Sequence, residues 1–129
     1  MTNAAFSFRP EDKTNQNNAM SNLILAIYKR GLWLLAKKVI LLDEAHSHYE
    51  EALRVWPPEK ALFDWANIIG SLGELALDRF ALDQNSYHLD EAERRLLDAK
   101  PVMEKGHEPF VEHCDDLLAQ IAAARASIA

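Results

Sequence analysis

A tetrapeptide, Leu-Asp-Glu-Ala, occurs twice in this chain, at residues 42–45 and again at residues 89–92. The two copies are separated by 47 positions. The same offset aligns further residues upstream: Ala19 with Ala66, Leu25 with Leu72, and Ala26 with Gly73. Because one offset aligns two separate segments, the matches predict an internal repeat. A third, partial copy at an offset of 45 aligns Trp65 with Phe110 and Leu72 with Leu117.

Each copy predicts two helices, and five helices cover most of the chain. The predicted helices span about 17–38, 43–55, 59–81, 90–101 and 108–126. Pro57 and Pro58 end the second helix, because the residue before a proline avoids helical geometry. Asp90 and Glu93 predict a capping box at the start of the fourth helix, and Pro101 is expected to kink or end it. The loop at 83–86 is polar.

Composition excludes several other classes of protein. With 129 residues the chain has room for one domain, and its four glycines and five prolines are too few for a many-stranded sandwich or barrel. The sequence therefore predicts an all-α fold of stacked antiparallel helical hairpins over residues 17–129, preceded by a flexible N-terminal arm at residues 1–16. The single cysteine, Cys114, cannot form an internal disulfide, which is typical of a cytoplasmic protein.

Charge is distributed unevenly along the sequence. Residues 1–42 contain six basic and two acidic side chains, and residues 43–129 contain eight basic and eighteen acidic ones. The two parts, +4 and −10, sum to the net charge of −6. A nucleic acid is excluded as the expected partner, because phosphate contacts need clustered Lys and Arg.

The most apolar stretch of the sequence lies between Leu23 and Leu42. It carries four basic residues, which makes a membrane span unlikely, and it predicts a buried helix that needs neighbours on several sides. We expect either self-association or a partner helix to cover this stretch. The alternative is that the N-terminal arm folds back over it through Phe6 and Phe8.

Two segments resemble tetratricopeptide repeats. Ala45, Tyr49, Ala52 and Pro57 have the small, aromatic, small, proline spacing of the second helix of such a repeat, and the segment 65–76 is similar to its first helix. The alanines leave room for larger side chains of the partner helix. An offset of 47 is longer than the usual repeat of about 34 residues. The excess fits a variant with a longer inner loop at residues 79–87.

The resemblance implies an α-solenoid fragment whose first helices line a groove for a peptide or helix of a partner protein. The groove positions it implies are Met20, Leu23, Ile27, Arg30, Asn67, Gly70, Glu74, Leu77, Asp78, Glu112, Asp115 and Ala119. Ile27, Glu74 and Asp78 occupy places where receptors for C-terminal carboxylates use Lys and Asn. The resemblance therefore implies a basic or amphipathic partner segment, steered by the acidic side chains. The alternative is that these acids are ordinary solvent-facing residues.

No motif in the sequence predicts an enzyme, a metal site or a cofactor. His46 and His48 lie two residues apart and point to different helix faces, and His113 and Cys114 diverge by about 100° on a helix. Phosphate loops, nucleophile elbows and zinc-protease motifs are missing. The sequence thus favours a non-enzymatic interaction module that binds a protein partner or forms a homo-oligomer. The alternative function is that of a helical bundle that binds a small molecule or lies on a membrane surface.

Overall fold

The protein is all-α, as the sequence predicts, and has five helices in the part that the structure describes. The structure is a computed structural model that describes the backbone of residues 10–128 and the side chains of residues 14–128. The helices are α1 (Pro10–Ala36), α2 (Val39–Val55), α3 (Leu62–Asp83), α4 (Tyr87–Met103) and α5 (Glu108–Ile128). The closest pairs are α1 with α2 and α3 with α4, which makes two hairpins followed by a single helix.

A two-residue link joins the helices of the first hairpin. Lys37 has φ 55°, and its backbone N–H donates to the carbonyl oxygen of Trp33 at 2.8 Å. Lys38 is extended, and α2 begins at the next residue. A left-handed residue that caps the preceding helix reverses the chain within a few residues, so α1 and α2 are antiparallel neighbours.

The second hairpin turns at a polar loop, as predicted. Gln84 has φ 58° and its backbone N–H donates to the carbonyl oxygen of Phe80, which ends α3. A carboxylate oxygen of Asp83 accepts from the backbone N–H of Asn85, and the Asn85 side chain accepts from that of Tyr87. These side chains bind backbone donors at the start of α4, as Asx turns do.

Burial repeats along the chain with the offset of 47 residues. The aligned pairs in which both residues are buried are Ala19 with Ala66, Ala26 with Gly73, Trp33 with Phe80, Leu42 with Leu89, Ala45 with Ala92, Tyr49 with Leu96, Ala52 with Ala99 and Trp56 with Met103. The two hairpins therefore bury equivalent faces. One predicted pair differs, because Leu72 is buried whereas Leu25 is 40% exposed.

Helix α5 packs against the second hairpin, mainly against α4. Its aromatic residue Phe110 lies over Gly70 of α3, so closely that a Cβ atom at Gly70 would be 2.5 Å from the ring. Within the hairpin, a Cβ atom at Gly73 would be 3.2 Å from atoms of Ala92, Arg95 and Leu96. Glycine at these two positions lets α3 lie close to both of its neighbours.

Several predicted boundaries differ from the structure. Helix α1 begins at Pro10 rather than near Asn17, so that residues 10–16 of the predicted arm are helical, whereas residues 1–9 lie outside the described part. Proline suits the first turn of a helix, because the backbone donor it lacks is unpaired there anyway. The apolar stretch 23–42 is not one buried helix, since α1 ends at Ala36 and α2 begins at Val39.

The predicted capping box at the fourth helix is wrong. Helix α4 begins at Tyr87, three residues before Asp90. Asp90 and Glu93 instead bind the guanidinium group of Arg125 on α5, at 2.6 and 3.0 Å. Pro101 lies in the last turn of α4, near the helix end that it was expected to produce.

Candidate functional site

A cleft of about 340 Å³ opens between the two hairpins. Its lining comes from three helices: Ile27, Arg30, Gly31 and Leu34 of α1, Tyr49 of α2, and Ser71 and Glu74 of α3. Ile27 and Leu34 lie two helical turns apart and are 57% and 48% exposed, so they form an apolar wall. The opposite wall is polar, and the cleft is therefore amphipathic.

An ion pair joins the hairpins at the polar side of the cleft. The Nε atom of Arg30 lies 2.8 Å from a carboxylate oxygen of Asp78, and a terminal nitrogen lies 3.3 Å from the other oxygen. Partial burial opposes the charge of Arg30, but the hydrogen bond and the charge of Asp78 outweigh it and raise the pKa of the guanidinium. This fork-to-fork geometry is the strong form of an ion pair.

Glu74 lies between basic side chains of two helices. One carboxylate oxygen is 3.3 Å from a guanidinium nitrogen of Arg30 on α1 and 3.3 Å from Nε2 of His113 on α5. Arg30 faces two carboxylates, those of Glu74 and Asp78, so the polar side holds two acidic groups for one guanidinium. Glu74 is the more exposed of the two acids.

Tyr49 of α2 and Ser71 of α3 also line the cleft. Tyr49 is 3% exposed, and burial raises the pKa of its phenol although a hydrogen bond to Ser71 acts in the opposite direction. The Ser71 hydroxyl also lies 2.9 Å from the carbonyl oxygen of Asn67. The phenol therefore stays neutral at ordinary pH and forms a fixed polar surface.

Three of the predicted groove residues, Ile27, Arg30 and Glu74, line the same cleft. Asp78 joins them through Arg30. Of the other predicted positions in the first two repeats, Met20 is 48% exposed, Leu23 and Asn67 are half-buried, Gly70 is covered by Phe110, and Leu77 packs against the core between α3, α4 and α5.

The predicted residues of α5 do not join this cleft. Asp115 lies 2.6 Å from Nζ of Lys100 on α4. Glu112 and Ala119 are exposed, and none of the three lines the cleft. His113, the neighbour of Glu112, is the side chain of α5 that reaches Glu74. The register carried over from the family motif is therefore displaced on this helix.

Sequence reasoning missed Gly31, Leu34, Tyr49 and Ser71 as cleft residues. A signal for Leu34 was available, because it lies one turn after Arg30 and two turns after Ile27 on the same helix face. The repeat pattern predicts only that Tyr49 is a packing residue. Its position in the cleft was not predictable, since the sequence does not reveal which helix of the next hairpin faces its hydroxyl group.

A second cavity, of about 290 Å³, lies between α2, α3 and α4. It is lined by His46, Leu72, Ala76, Arg79, Tyr87, His88, Glu91 and Arg95. Each of its basic groups already lies within 3.3 Å of a carboxylate: His46 with Glu50, Arg79 with Asp43, His88 with Asp83, and Arg95 with Glu91. The cavity therefore offers no free cation to an anionic ligand.

Reactive and metal-binding groups are not arranged into a site. Within residues 14–128, no three side chains of the His, Cys, Asp or Glu type are placed to share a metal ion. Cys114 is buried, and burial, assisted by the charge of Asp115, raises the pKa of its thiol to about 11. A thiol in this environment is a poor nucleophile.

Comparisons with known proteins identify neither a family nor a protein of similar fold. No family model, curated protein or solved structure matches the chain. In the part of the chain that the structure describes, none of the helices combines the length and the apolar character needed to cross a bilayer.

Proposed function

We propose that this protein is a non-enzymatic interaction module, related in design to tetratricopeptide repeats, that binds an amphipathic segment of a partner protein in the cleft between its hairpins. The observation that carries the proposal is the meeting of Ile27, Arg30 and Glu74 at one cleft, although they come from different hairpins. The equivalent burial of both hairpins supports the repeat design. Stacked repeats present such concave surfaces to peptides.

The partner chemistry follows from the two walls of the cleft. Ile27 and Leu34 offer exposed apolar surface at helical spacing, which suits the apolar face of a partner helix. Glu74, the more exposed of the two acids that share Arg30, offers a carboxylate on the polar side. A partner segment with apolar residues along one face and a Lys or Arg beside them fits both walls, and its binding weakens as salt is added.

A peptide selection tests this proposal. A phage-displayed library of amphipathic helical peptides is selected on the wild-type protein, and a selected peptide is titrated by fluorescence anisotropy. The variant Ile27→Ala with Glu74→Gln is expected to bind at least about tenfold more weakly, since a buried methyl-rich contact and a charge pair are lost. The matched control, Leu97→Ala on α4 with Glu104→Gln at the C-cap of the same helix, keeps the wild-type affinity. Equal affinities for both double variants would contradict the proposal.

A further inference from the structure

The outward side of α1 is a continuous apolar surface. Its exposed large side chains are Met20, Ile24, Leu25, Tyr28 and Leu35, whereas Ile27 and Leu34 of the same helix line the cleft. Leu35 is 84% exposed and Ile24 and Tyr28 are each 59% exposed. The buried side of the same helix contains Ala19, Ala26 and Trp33. We call the surface formed by residues 20–35 on the side away from α2 and from the apolar wall of the cleft the open face of α1.

No charged side chain lies on the open face. The two charged residues between Met20 and Leu35 are Lys29 and Arg30, and both are paired inside the chain. Lys29 lies 2.8 Å from Glu44 on α2, and Arg30 binds Asp78 on α3. An identical surface can therefore approach the open face without placing like charges together, which would oppose self-association.

The centre of the open face has the spacing of a helix–helix contact. Ser21, Ile24, Tyr28, Gly31 and Leu35 follow one another at intervals of three, four, three and four residues. This is the spacing with which two helices pack along their length. Gly31 is open, since a Cβ atom there would meet nothing within 4 Å. Packing within the chain thus gives no reason for a glycine at this position, whereas close approach of another helix does.

The N-terminal arm with Phe6 and Phe8, which the sequence suggests as an alternative cover for this surface, lies outside the described residues.

The two ends of the helix stack differ in polarity. At the far end, the exposed positions of α5 include Glu112, Asp116 and Gln120, and the large exposed apolar residue of this helix is Ile128. An open face of α1 that packed on α5 of another copy would bury these charges unpaired. A contact of α1 with α1 avoids this cost and closes as a dimer with two-fold symmetry.

The exposed area is sufficient for such a dimer. The exposed fractions of the five large side chains of the open face correspond to roughly 550 Å² on each copy, so that two copies bury about 1,100 Å² in total, more than the ~1,000 Å² that a specific interface needs.

We infer that the open face of α1 binds the open face of a second copy in an antiparallel, two-fold symmetric dimer. With the two-fold axis between Tyr28 and Gly31, the tyrosine ring packs on the partner's Gly31, and Ile24 packs on the partner's Leu35. Both pairs fit one two-fold axis, because residues 24 and 35, like residues 28 and 31, lie equally far along the helix from the same midpoint. The ring of Tyr28 then fills the space left by the absent side chain of Gly31, and the two-fold axis repeats this contact on the other side.

The molar mass in solution tests the inference. By light scattering after size exclusion, the wild type has twice the mass of one chain, and Leu35→Glu has the mass of one chain. Leu35 is 84% exposed, so its replacement leaves the fold intact, which circular dichroism verifies. Leu97→Glu, at a 52% exposed leucine of α4, is the control and stays dimeric. A monomeric wild type, or a Leu35→Glu variant that remains a dimer, would overturn the inference.

Disulfide cross-linking tests the antiparallel arrangement. A mixture of Ile24→Cys and Leu35→Cys chains forms a cross-linked dimer on mild oxidation, whereas neither variant does so alone. In an antiparallel pair, identical positions 24 lie about 16 Å apart along the axis, which is too far for a disulfide. Cys114 is buried and does not compete. Cross-linking of each variant with itself would overturn the antiparallel arrangement.

The inference does not depend on a peptide in the cleft. Leu35→Glu separates the copies while peptide binding persists, and Glu74→Gln changes peptide binding while the mass stays that of a dimer. A lipid surface is the other occupant for an open apolar face. Co-sedimentation with anionic phosphatidylserine vesicles distinguishes it: a wild-type monomer that sediments with vesicles would overturn the dimer in favour of the membrane.

Discussion

Arg30 of α1 and Asp78 of α3 form a two-point ion pair across the junction between the hairpins, with distances of 2.8 and 3.3 Å. The two residues are 48 positions apart in the sequence, one more than the repeat offset. Their side chains are 25% and 14% exposed. This pair aligns the first hairpin on the second and positions Arg30 beside Glu74, so that it shapes the polar side of the cleft.

Replacing Asp78 by Asn is expected to lower the free energy of unfolding by about 1–2 kcal/mol, because Arg30 stays partly buried with a single, longer contact to Glu74. The measurement is urea denaturation followed by circular dichroism. Glu51→Gln is the matched control. Its pair with Arg54 is exposed and should contribute less than about 0.5 kcal/mol. Equal effects of the two substitutions would mean that the junction does not depend on the Arg30–Asp78 pair.

Gly73→Ala is expected to destabilise the protein by about 1–2 kcal/mol in spite of the better helix propensity of alanine. The new Cβ atom would be 3.2 Å from three atoms of α4, one of them the backbone oxygen of Ala92, and this forces the helices apart. Gly106→Ala is the control, because that position is open. Thermal unfolding of both variants measures the difference, and a Gly73→Ala protein as stable as the control would contradict the close packing of α3 and α4.

Because the hairpins are equivalent, replacing either of two corresponding alanines by leucine is expected to lower the stability by a similar amount. Ala45 and Ala92 are both fully buried and lie 47 residues apart, so leucine at either position overpacks an equivalent contact and costs about 1–3 kcal/mol. Ala122, which is exposed on α5, tolerates leucine without loss. Chemical denaturation of the three variants measures the effects. If only one of the two buried positions is sensitive, the hairpins are not equivalent.

The all-α fold, the two hairpins and the loop at residues 83–86 were predictable, because small buried residues recur with a fixed offset in helical segments. The start of α1 was not. Residues 10–16 are polar and lack an apolar stripe, so they give no periodic signal, yet α1 already begins at Pro10. The sequence also placed the open side of α1 in the interior, since its apolar residues do not reveal whether the chain itself supplies neighbours for them.

The cleft was predictable in its middle and not at its end. Ile27, Arg30 and Glu74 followed from the aligned register, but a shift of one residue on α5 turns a side chain by about 100°. For that reason His113, and not the predicted Glu112, reaches Glu74, and the predicted Asp115 binds Lys100. The pairing of Arg30 with Asp78 depends on how two hairpins are rotated against each other, which no local pattern encodes.

Alkaline pH is expected to destabilise the fold through Cys114. Burial raises the pKa of this thiol from 9.0 to about 11 in the folded protein, so that between these values the unfolded chain loses the proton and the folded one keeps it. Stability is fully present below pH 9 and is lost as the pH rises through about 11. Denaturant midpoints over this window measure the slope. Cys114→Ala is expected to show a shallower slope, and an unchanged slope would remove the thiol as its cause.

The fold described above consists of two equivalent helical hairpins that are stacked with an offset of 47 residues. The most direct test is an experimental structure, by crystallography or nuclear magnetic resonance, in which the segment 39–56 is superposed on 86–103. We expect Ala45 then to coincide with Ala92 and Ala52 with Ala99, each against the buried face of its preceding helix. If these alanines face different surroundings in the two hairpins, the duplication is accidental, and the repeat design proposed for this protein is wrong.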